Sequence, residues 1–376
     1  MNRAKFRMLR SALAVGVVAM LATACGGGGA TSPAGSGKGG DVVAQAKSEG
    51  ETASKNFTPA LKDLIEKAKA EGTANLFVGS AKYTADQQAM LSQAVSAYFG
   101  IDLKVQTQSL GSWPDAYQQV SQSLKAGATP QIDLWVASMD FNSQLGQNGQ
   151  AASVDWAALG APADDILKVP GADSLYIQDS VRAIIYNTNL VKKEDVPKSW
   201  EDLYDPKYTG KIASVPLPTM WPAVGLATGQ QQAVDMVTKL VKDQKMALLP
   251  SLSQVQQGVA DGQYSIGIGL ISEPLRGKGA PIASAHVKTG VIPAGAVPLK
   301  SAPHPAAATL LAYFLTQAKA GQAAAFQVLT WVKHTNEGTE AYEIANDAGV
   351  VVAPVDFQTT VVPEWVPKFS KALGLS

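Results

Sequence analysis

The sequence predicts an α/β fold of two lobes, each a mostly parallel sheet covered by helices. Short apolar runs with strand character occur at residues 75–78 (NLFV), 103–107 and 132–137. Between the first two, residues 85–99 repeat apolar side chains at helical spacing. Between the second and third, residues 114–126 begin with a proline and end before a glycine, as helices do. This β-α-β-α-β order indicates parallel strands with covering helices.

A second set of the same kind follows and indicates a second lobe. Residues 210–215 are a predicted strand, and a helix is expected from about Trp221. Residues 231–241 carry one apolar face, residues 252–259 suit a short helix, and residues 264–270 suit a strand of small residues. The chain beyond the N-terminal region, about 320 residues, exceeds the size at which a single core stops growing.

We expect crossing strands to join the lobes as a hinge. The chain is predicted to leave the first lobe near residues 150–156 and to return near residues 287–293. The helical segment 305–326 would then cover the first lobe, and residues 363–373 would form a closing helix. The predicted boundaries are 56–155 and 290–340 for lobe 1, and 156–289 and 341–376 for lobe 2.

Residues 1–24 have the layout of an export signal. Four basic residues precede an apolar stretch at 12–24 that is shorter than the roughly 20 residues of a permanent membrane span. The stretch ends in residues 21–25 (LATAC), which resembles the lipobox of bacterial lipoproteins, with Ala22 where leucine is usual. We therefore predict a lipoprotein signal peptide and a lipid on Cys25, the single cysteine. A secretory signal followed by an incidental free thiol is the alternative.

Residues 25–55 are predicted to be a flexible tether. Four consecutive glycines (26–29) are followed by Thr, Ser, Pro, Lys and further glycines. No strand precedes these glycines, so they do not form a phosphate-binding loop.

The charge balance argues against nucleic-acid binding. Loss of the signal would leave 27 Lys+Arg and 31 Asp+Glu, a mildly acidic chain with no basic patch. Only 16% of the residues are charged and 46% are hydrophobic, which suits substantial cores.

The sequence also argues against an enzyme. No nucleophile elbow, zinc-protease helix, P-loop or Cys-x-x-Cys pair occurs, and residues 267–272 match a dinucleotide loop only weakly. The three histidines, His286, His304 and His334, lack metal-ligand spacing. We therefore expect no catalytic residues, no cofactor and no metal.

The central region resembles the extracellular solute-binding proteins of ABC importers, in the group that includes ferric-ion and 2-aminoethylphosphonate binders. The resemblance spans about residues 74–335. Its most specific parts are residues 181–188 (VRAIIYNT), 196–203 (VPKSWEDL) and 205–212 (DPKYTGKI), and similar landmarks are 98–101, 133–134, 145–149, 306–308 and 321–322. We interpret residues 199–203 as structural, because Ser199 can cap a short helix whose acidic residues suit its positive end.

The resemblance implies a periplasmic-binding-protein clamshell that closes over a small ligand. It also implies an ABC permease as partner, and we expect a monomer anchored by lipid on the extracytoplasmic face of the cell membrane. Ligands of such lobes sit beyond the carboxyl ends of strands. The candidate ligand-binding residues on these loops and in the linker are Ser80, Lys82, Tyr83, Trp113, Ser138, Asp140, Arg182, Thr219, Trp221, Ser272, Glu273 and Arg276.

The candidate residues favour an anionic or zwitterionic ligand. Ferric binders of the resembled group carry a tyrosine pair after the strand that corresponds to residues 266–270, and here Ile271 and Ser272 stand there. Hydroxyl and cationic donors suit a carboxylate, phosphonate or phosphate, and tryptophan faces suit a ring, a sugar or a quaternary cation. Each of these residues can also be structural, and a tethered envelope sensor or adhesion protein with the same clamshell remains the alternative function.

Overall fold

A computed structural model describes residues 39–375; the predicted signal peptide and Cys25 lie outside the described residues. The helices are α1 (Gly39–Ala53), α2 (Pro59–Glu71), α3 (Ala85–Phe99), α4 (Trp113–Lys125), α5 (Met139–Gln147), α6 (Trp221–Thr228), α7 (Gln230–Lys242), α8 (Leu252–Ala260), α9 (Glu273–Arg276), α10 (Pro305–Gln317), α11 (Lys319–Ala324), α12 (Glu340–Asp347) and α13 (Val361–Ala372). The strands are β1 (Thr73–Phe77), β2 (Lys104–Gln108), β3 (Leu134–Ser138), β4 (Ile166–Val169), β5 (Ala172–Val181), β6 (Ala183–Asn187), β7 (Ile212–Ser214), β8 (Ala247–Leu248), β9 (Ile266–Gly269), β10 (Ile282–Ser284), β11 (Thr289–Pro298) and β12 (Val350–Val352).

Two sheets confirm the predicted two-lobed α/β fold. The first has the order β2-β1-β3-β11-β5-β4, with β12 beside β11, and the second has the order β10-β6-β9-β7-β8. Strands β1 to β3 pair in parallel, as do β7, β8 and β9. The crossing strands join both sheets in antiparallel pairs. Each sheet is therefore mixed rather than mostly parallel.

Local capping sets the ends of α3 where the sequence predicts them. The Thr84 hydroxyl accepts a hydrogen bond from the Gln87 amide (3.3 Å), and the Gln87 side chain accepts one from the Thr84 amide (2.9 Å). This reciprocal pair satisfies two amides that the helix leaves free. Gly100 ends the helix in the left-handed conformation, at φ 68°.

The first crossing lies further along the chain than predicted. Strands β4 and β5 belong to the first sheet, and β5 pairs with β11 from Leu175 opposite Ala296 to Val181 opposite Val291. The predicted exit near residues 150–156 is therefore wrong. The chain crosses at Val181–Ala183, and the long antiparallel pairing with β11 holds the preceding strand in the first lobe. The return crossing, residues 285–288, overlaps the predicted segment 287–293.

A buried carboxylate fastens the first sheet to α10. Asp133 has no exposed surface, and its Oδ2 atom accepts hydrogen bonds from the Asn75 amide and side chain, both at 2.8 Å. His304, just before α10, donates its amide to Oδ1 (3.1 Å) and places Nδ1 3.0 Å from Oδ2. Loss of these hydrogen bonds would leave the buried Asp133 carboxylate without compensation, so we assign Asp133 a structural role.

Residues 39–53 form a helix where the sequence predicted a tether. Val42 and Ala46 are buried in the first-lobe core, and Gly50 follows at the same helical spacing against the backbone of α3. Glu49 accepts hydrogen bonds from the amides of Lys319 and Ala320, both at 2.8 Å, and so caps α11. The tether prediction is therefore wrong for residues 39–53. The residues of this helix that pack against the first lobe are mostly small and stand in a polar sequence, so they leave little hydrophobic pattern to predict a helix.

No helix in residues 39–375 has the combination of length and apolar character needed to cross a membrane.

We predict that Gly50→Ala destabilises the protein, although this change usually stabilises a helix. A Cβ atom at Gly50 would lie 2.0 Å from the Tyr98 carbonyl oxygen, so α1 must shift away from α3. Overpacking of this kind costs about 1–3 kcal/mol. Urea unfolding of Gly50→Ala and of the control Ser48→Ala, at an exposed position of α1, measures the effect. An increase in the free energy of unfolding for Gly50→Ala would contradict the packing of α1.

Candidate ligand-binding site

The loop after β1 presents polar side chains at the carboxyl edge of the first sheet. Ser80 and Lys82 are exposed, whereas Tyr83 is half-buried against the first-lobe core. The Tyr83 hydroxyl donates a hydrogen bond to the Leu329 carbonyl (3.4 Å), and burial raises the pKa of the phenol to about 12. Tyr83 therefore stays protonated at neutral pH and helps to hold the loop in place.

Trp113 lies where the two lobes meet. It is the first residue of α4 and is half-buried. The apolar residues of the first lobe form two clusters, one on each side of its sheet region, and Trp113 packs against both. It also packs against an interlobe cluster that joins β11, α6 and α13. The interlobe cluster consists of Ala223, Ile292, Ala353, Phe357 and Val362.

Ser138 and Asp140 form a buried pair at the end of β3. The Ser138 hydroxyl donates to Asp140 Oδ1 (2.6 Å), while the Oδ2 atom is buried without a hydrogen-bond partner among the described residues. Burial raises the pKa of Asp140, the Ser138 hydrogen bond opposes the rise, and the nearby Asp356 carboxylate adds to it. This carboxyl thus retains unused hydrogen-bonding capacity.

Arg182 is a partly buried cation at the point where the chain passes from one sheet to the other. Its neighbour Val181 pairs with Val291 of the first sheet, and Ala183 pairs with Gly269 of the second. The Nε atom is buried without a hydrogen-bond partner, and no carboxylate of residues 39–375 forms an ion pair with the guanidinium. Burial lowers its pKa to about 10, so the side chain remains charged at neutral pH.

The start of α6 approaches the same crossing. A Cβ atom at Gly290, the residue of β11 next to Val291, would lie 1.9 Å from the Ala223 carbonyl oxygen, so only glycine lets α6 pack this closely. Thr219, in the turn before α6, is exposed. Trp221 is fully buried, with its indole Nε1 unpartnered among the described residues, and offers no exposed face in this conformation.

Three further predicted residues come together around a carboxylate that the sequence analysis missed. Ser272 donates its hydroxyl to Glu340 Oε1 (2.6 Å), and Arg276 places Nη1 3.5 Å from the same atom. Glu340 Oε1 also accepts from the Ser284 amide (2.8 Å), and Glu273 Oε2 accepts from the Glu340 amide (3.0 Å). We call Ser272, Glu273, Arg276, Ser284 and Glu340 the Glu340 cluster. Thr339, which caps α12 with its side chain, was the one local signal for a helix start at this position.

The predicted structural role of residues 199–203 agrees with the geometry. Asp202 accepts hydrogen bonds from the Lys198 amide (2.7 Å) and the Ser199 amide (3.1 Å), and these bonds lower its pKa. The Trp200 indole donates to the Lys288 carbonyl (2.9 Å), which lies in the return crossing. This segment thus supports the hinge from the second lobe.

In residues 39–375, no group of three or more His, Cys, Asp or Glu side chains is arranged to hold a metal ion.

The lobes, the crossing strands and the polar groups between them define a two-lobed binding protein. A model of the bacterial extracellular solute-binding protein family matches residues 130–340, more than half of the chain. The chain therefore belongs to this family of bacterial extracellular solute-binding proteins, which are not enzymes.

Solved structures show the same fold at low sequence identity. The substrate-binding protein of an ABC transporter from Agrobacterium tumefaciens is 14% identical, with TM-score 0.62, 80% of this chain covered and 94% of that chain. Iron-bound HitA from Pseudomonas aeruginosa is 20% identical (TM-score 0.55; 81% and 97% covered). MotA from A. tumefaciens B6, in complex with glucopine, is 16% identical (TM-score 0.55; 80% and 99% covered). No curated protein sequence matches the chain.

We predict that Ser272→Ala lowers stability because Glu340 loses a donor. A hydrogen bond to a charged group contributes about 1.5–3 kcal/mol. Chemical denaturation should show a loss of this size for Ser272→Ala and almost none for Thr219→Ala, which removes an exposed hydroxyl. Equal stability of the two variants would show that Ser272 does not support the Glu340 cluster.

Proposed function

We propose that the chain is the extracytoplasmic receptor of an ABC importer and captures a small ligand with an anionic group between its two lobes for a membrane permease. Membership of the solute-binding family supports the transport role. The ligand class rests on one observation, the partly buried guanidinium of Arg182 at the interlobe crossing, which has no ion-pair partner among the described residues and whose Nε atom is buried without a hydrogen bond.

An unpaired cation in this position is costly unless a ligand compensates it. Taking a charge out of water carries a large free-energy penalty, and buried charges in proteins are accordingly paired. The other arginine of the described residues, Arg276, has Glu340 Oε1 at 3.5 Å and Glu343 Oε2 at 4.0 Å. Arg182 has no comparable partner, so a carboxylate, phosphonate or phosphate of the ligand is the natural counter-charge.

Other predicted residues are proposed in two roles. Trp113 and Asp140, at the carboxyl edge of the first sheet, are proposed to contact the ligand from the first lobe. Ser272, Glu273 and Arg276 are proposed to shape the second-lobe side through the Glu340 cluster, because their polar atoms bond to one another and to Glu340.

We predict that Arg182→Met abolishes binding of an anionic ligand without lowering the stability of the ligand-free protein. Loss of the counter-charge should weaken binding by about 2–5 kcal/mol, whereas an apolar side chain removes the desolvation penalty. The control is Lys168→Met, since Lys168 is 72% exposed and pairs with Asp173 at the surface. Calorimetric titration with phosphonates, carboxylates, polyamines, sugars and ferric salts measures affinity, and thermal unfolding measures stability.

Ferric ion alone is expected to bind poorly in the same titrations, because Ile271 and Ser272 replace the tyrosines that the resembled ferric binders carry. Tight binding of a neutral sugar or a polyamine, with Arg182→Met equal to wild type, would refute the anionic ligand but leave the solute-binding family unaffected.

We further propose that Cys25 carries a lipid that anchors the protein to the outer face of the membrane. The residues before it, Leu21 to Ala24, resemble a lipobox, and the thiolate accepts the lipid. Cys25→Ala is predicted to release the protein into the medium or to leave an uncleaved precursor. Fractionation with immunoblotting measures this, and a processed, membrane-bound Cys25→Ala protein would show that the anchor lies elsewhere.

A further inference from the structure

A third connection between the lobes runs through residues 330–339, from the π-helical turn Ala325–Leu329 after α11 to the start of α12. It begins with Thr330 in the left-handed region, at φ 59°, which a β-branched residue rarely adopts. Three hydrogen bonds fasten it to β5 of the first lobe. The Asp179 amide donates to the Val332 carbonyl (2.8 Å), and Asp179 Oδ2 lies 2.7 Å from the His334 amide and 2.6 Å from its Nδ1.

The other end of this connection enters the second lobe at the Glu340 cluster. Glu340 is almost fully buried, and its Oε1 atom accepts from Ser272, Ser284 and Arg276, which belong to the β9–α9 loop, β10 and α9. Glu273 is also buried and accepts the Glu340 amide. The connection is thus attached to each lobe by a buried carboxylate.

The charges around Glu273 do not balance. Glu340 and Glu343 of α12 face it with negative charge, and Arg276, half exposed, is the cation that opposes them. The other titratable groups nearby are Tyr186 and His286. Tyr186 lies on β6, where burial and the Glu340 charge raise its pKa and Arg276 lowers it. His286 lies 4.0 Å from Glu343 and 2.6 Å from Asp347.

We propose that the Glu340 cluster is a proton-dependent attachment of the third connection to the second lobe, which loosens as pH rises through neutrality. With a proton on Glu273, one buried carboxylate, Glu340, faces Arg276. Without it, two buried carboxylates share one partly exposed guanidinium, and the attachment weakens. This inference goes beyond the proposed function, since it concerns the hinge without a ligand.

The direction of this pH effect on the attachment follows from proton linkage. Burial raises the pKa of Glu273 from its ordinary 4.5 to about 7, and the Glu340 charge adds to the rise, although the Glu340 amide hydrogen bond opposes it. The attached state therefore binds the proton more tightly than the detached state, and proton loss favours detachment. With these two values, the detachment equilibrium should rise about tenfold between pH 6 and pH 8 and level off above the attached-state pKa.

Hydrogen exchange of the ligand-free protein tests this proposal at named amides. The amides of Glu340 and Ser284, whose acceptors belong to the cluster, should lose about tenfold of their protection from pH 6 to pH 8 after correction for intrinsic exchange rates. The amide of Asp179, which donates to the Val332 carbonyl at the first-lobe end, should change little. Glu273→Gln, which keeps an acceptor for the Glu340 amide but cannot titrate, should make the protection independent of pH. The control is Glu201→Gln, at an exposed carboxylate of the same lobe, which should behave as wild type.

Protection of Glu340 and Ser284 that stays constant with pH in the wild type would overturn the proposal, as would a pH response that persists in Glu273→Gln. Because no ligand is present, either result leaves the proposed anionic ligand and its Arg182 test untouched.

Discussion

The antiparallel pairing of β5 with β11 is the constraint on which the rest of the molecule depends. It brings together two segments more than a hundred residues apart in sequence and ends where Val181 lies opposite Val291. Beyond that point the chain must enter the second sheet, so the pairing decides where the lobes part and where Arg182 lies. Gly290, beside the last pair, admits α6 from the second lobe. Trp200 then supports the return crossing through Lys288.

Several buried polar atoms of the described residues have no hydrogen-bond partner. Asp133, inside the first lobe, has a partner for each of its carboxylate oxygens. Arg182 and Asp140 each retain a buried atom without a partner, and so does Glu340. A core residue with such an atom would only lower stability. At the crossing, the Arg182 atom would be satisfied by the proposed ligand, a compromise between stability and function.

Local signals explain how far the sequence analysis succeeded. The limits of α3 follow from Thr84, Gln87 and Gly100, which act within one helical turn. The destination of β5 depends on a partner strand far along the chain, so the first crossing was misplaced. The helix α1 was missed because Ala46 and Gly50 leave little apolar signal. Arg182 was proposed as a ligand-binding residue because it lies in the family-like segment. Glu340 gave no such signal, since its partners lie 56 to 68 residues away.

The docking of α1 has a consequence for how the receptor stands on a membrane. Glu49 and the buried stripe of α1 fix this helix to the first lobe. Only residues 26–38 then separate the proposed anchor at Cys25 from Gly39. A fully stretched chain of this length reaches about 50 Å, compared with about 100 Å if the whole of 25–55 were free. If Cys25 carries the proposed lipid, the first lobe is therefore held within about 50 Å of the bilayer, and the second lobe is connected to the anchor only through the first.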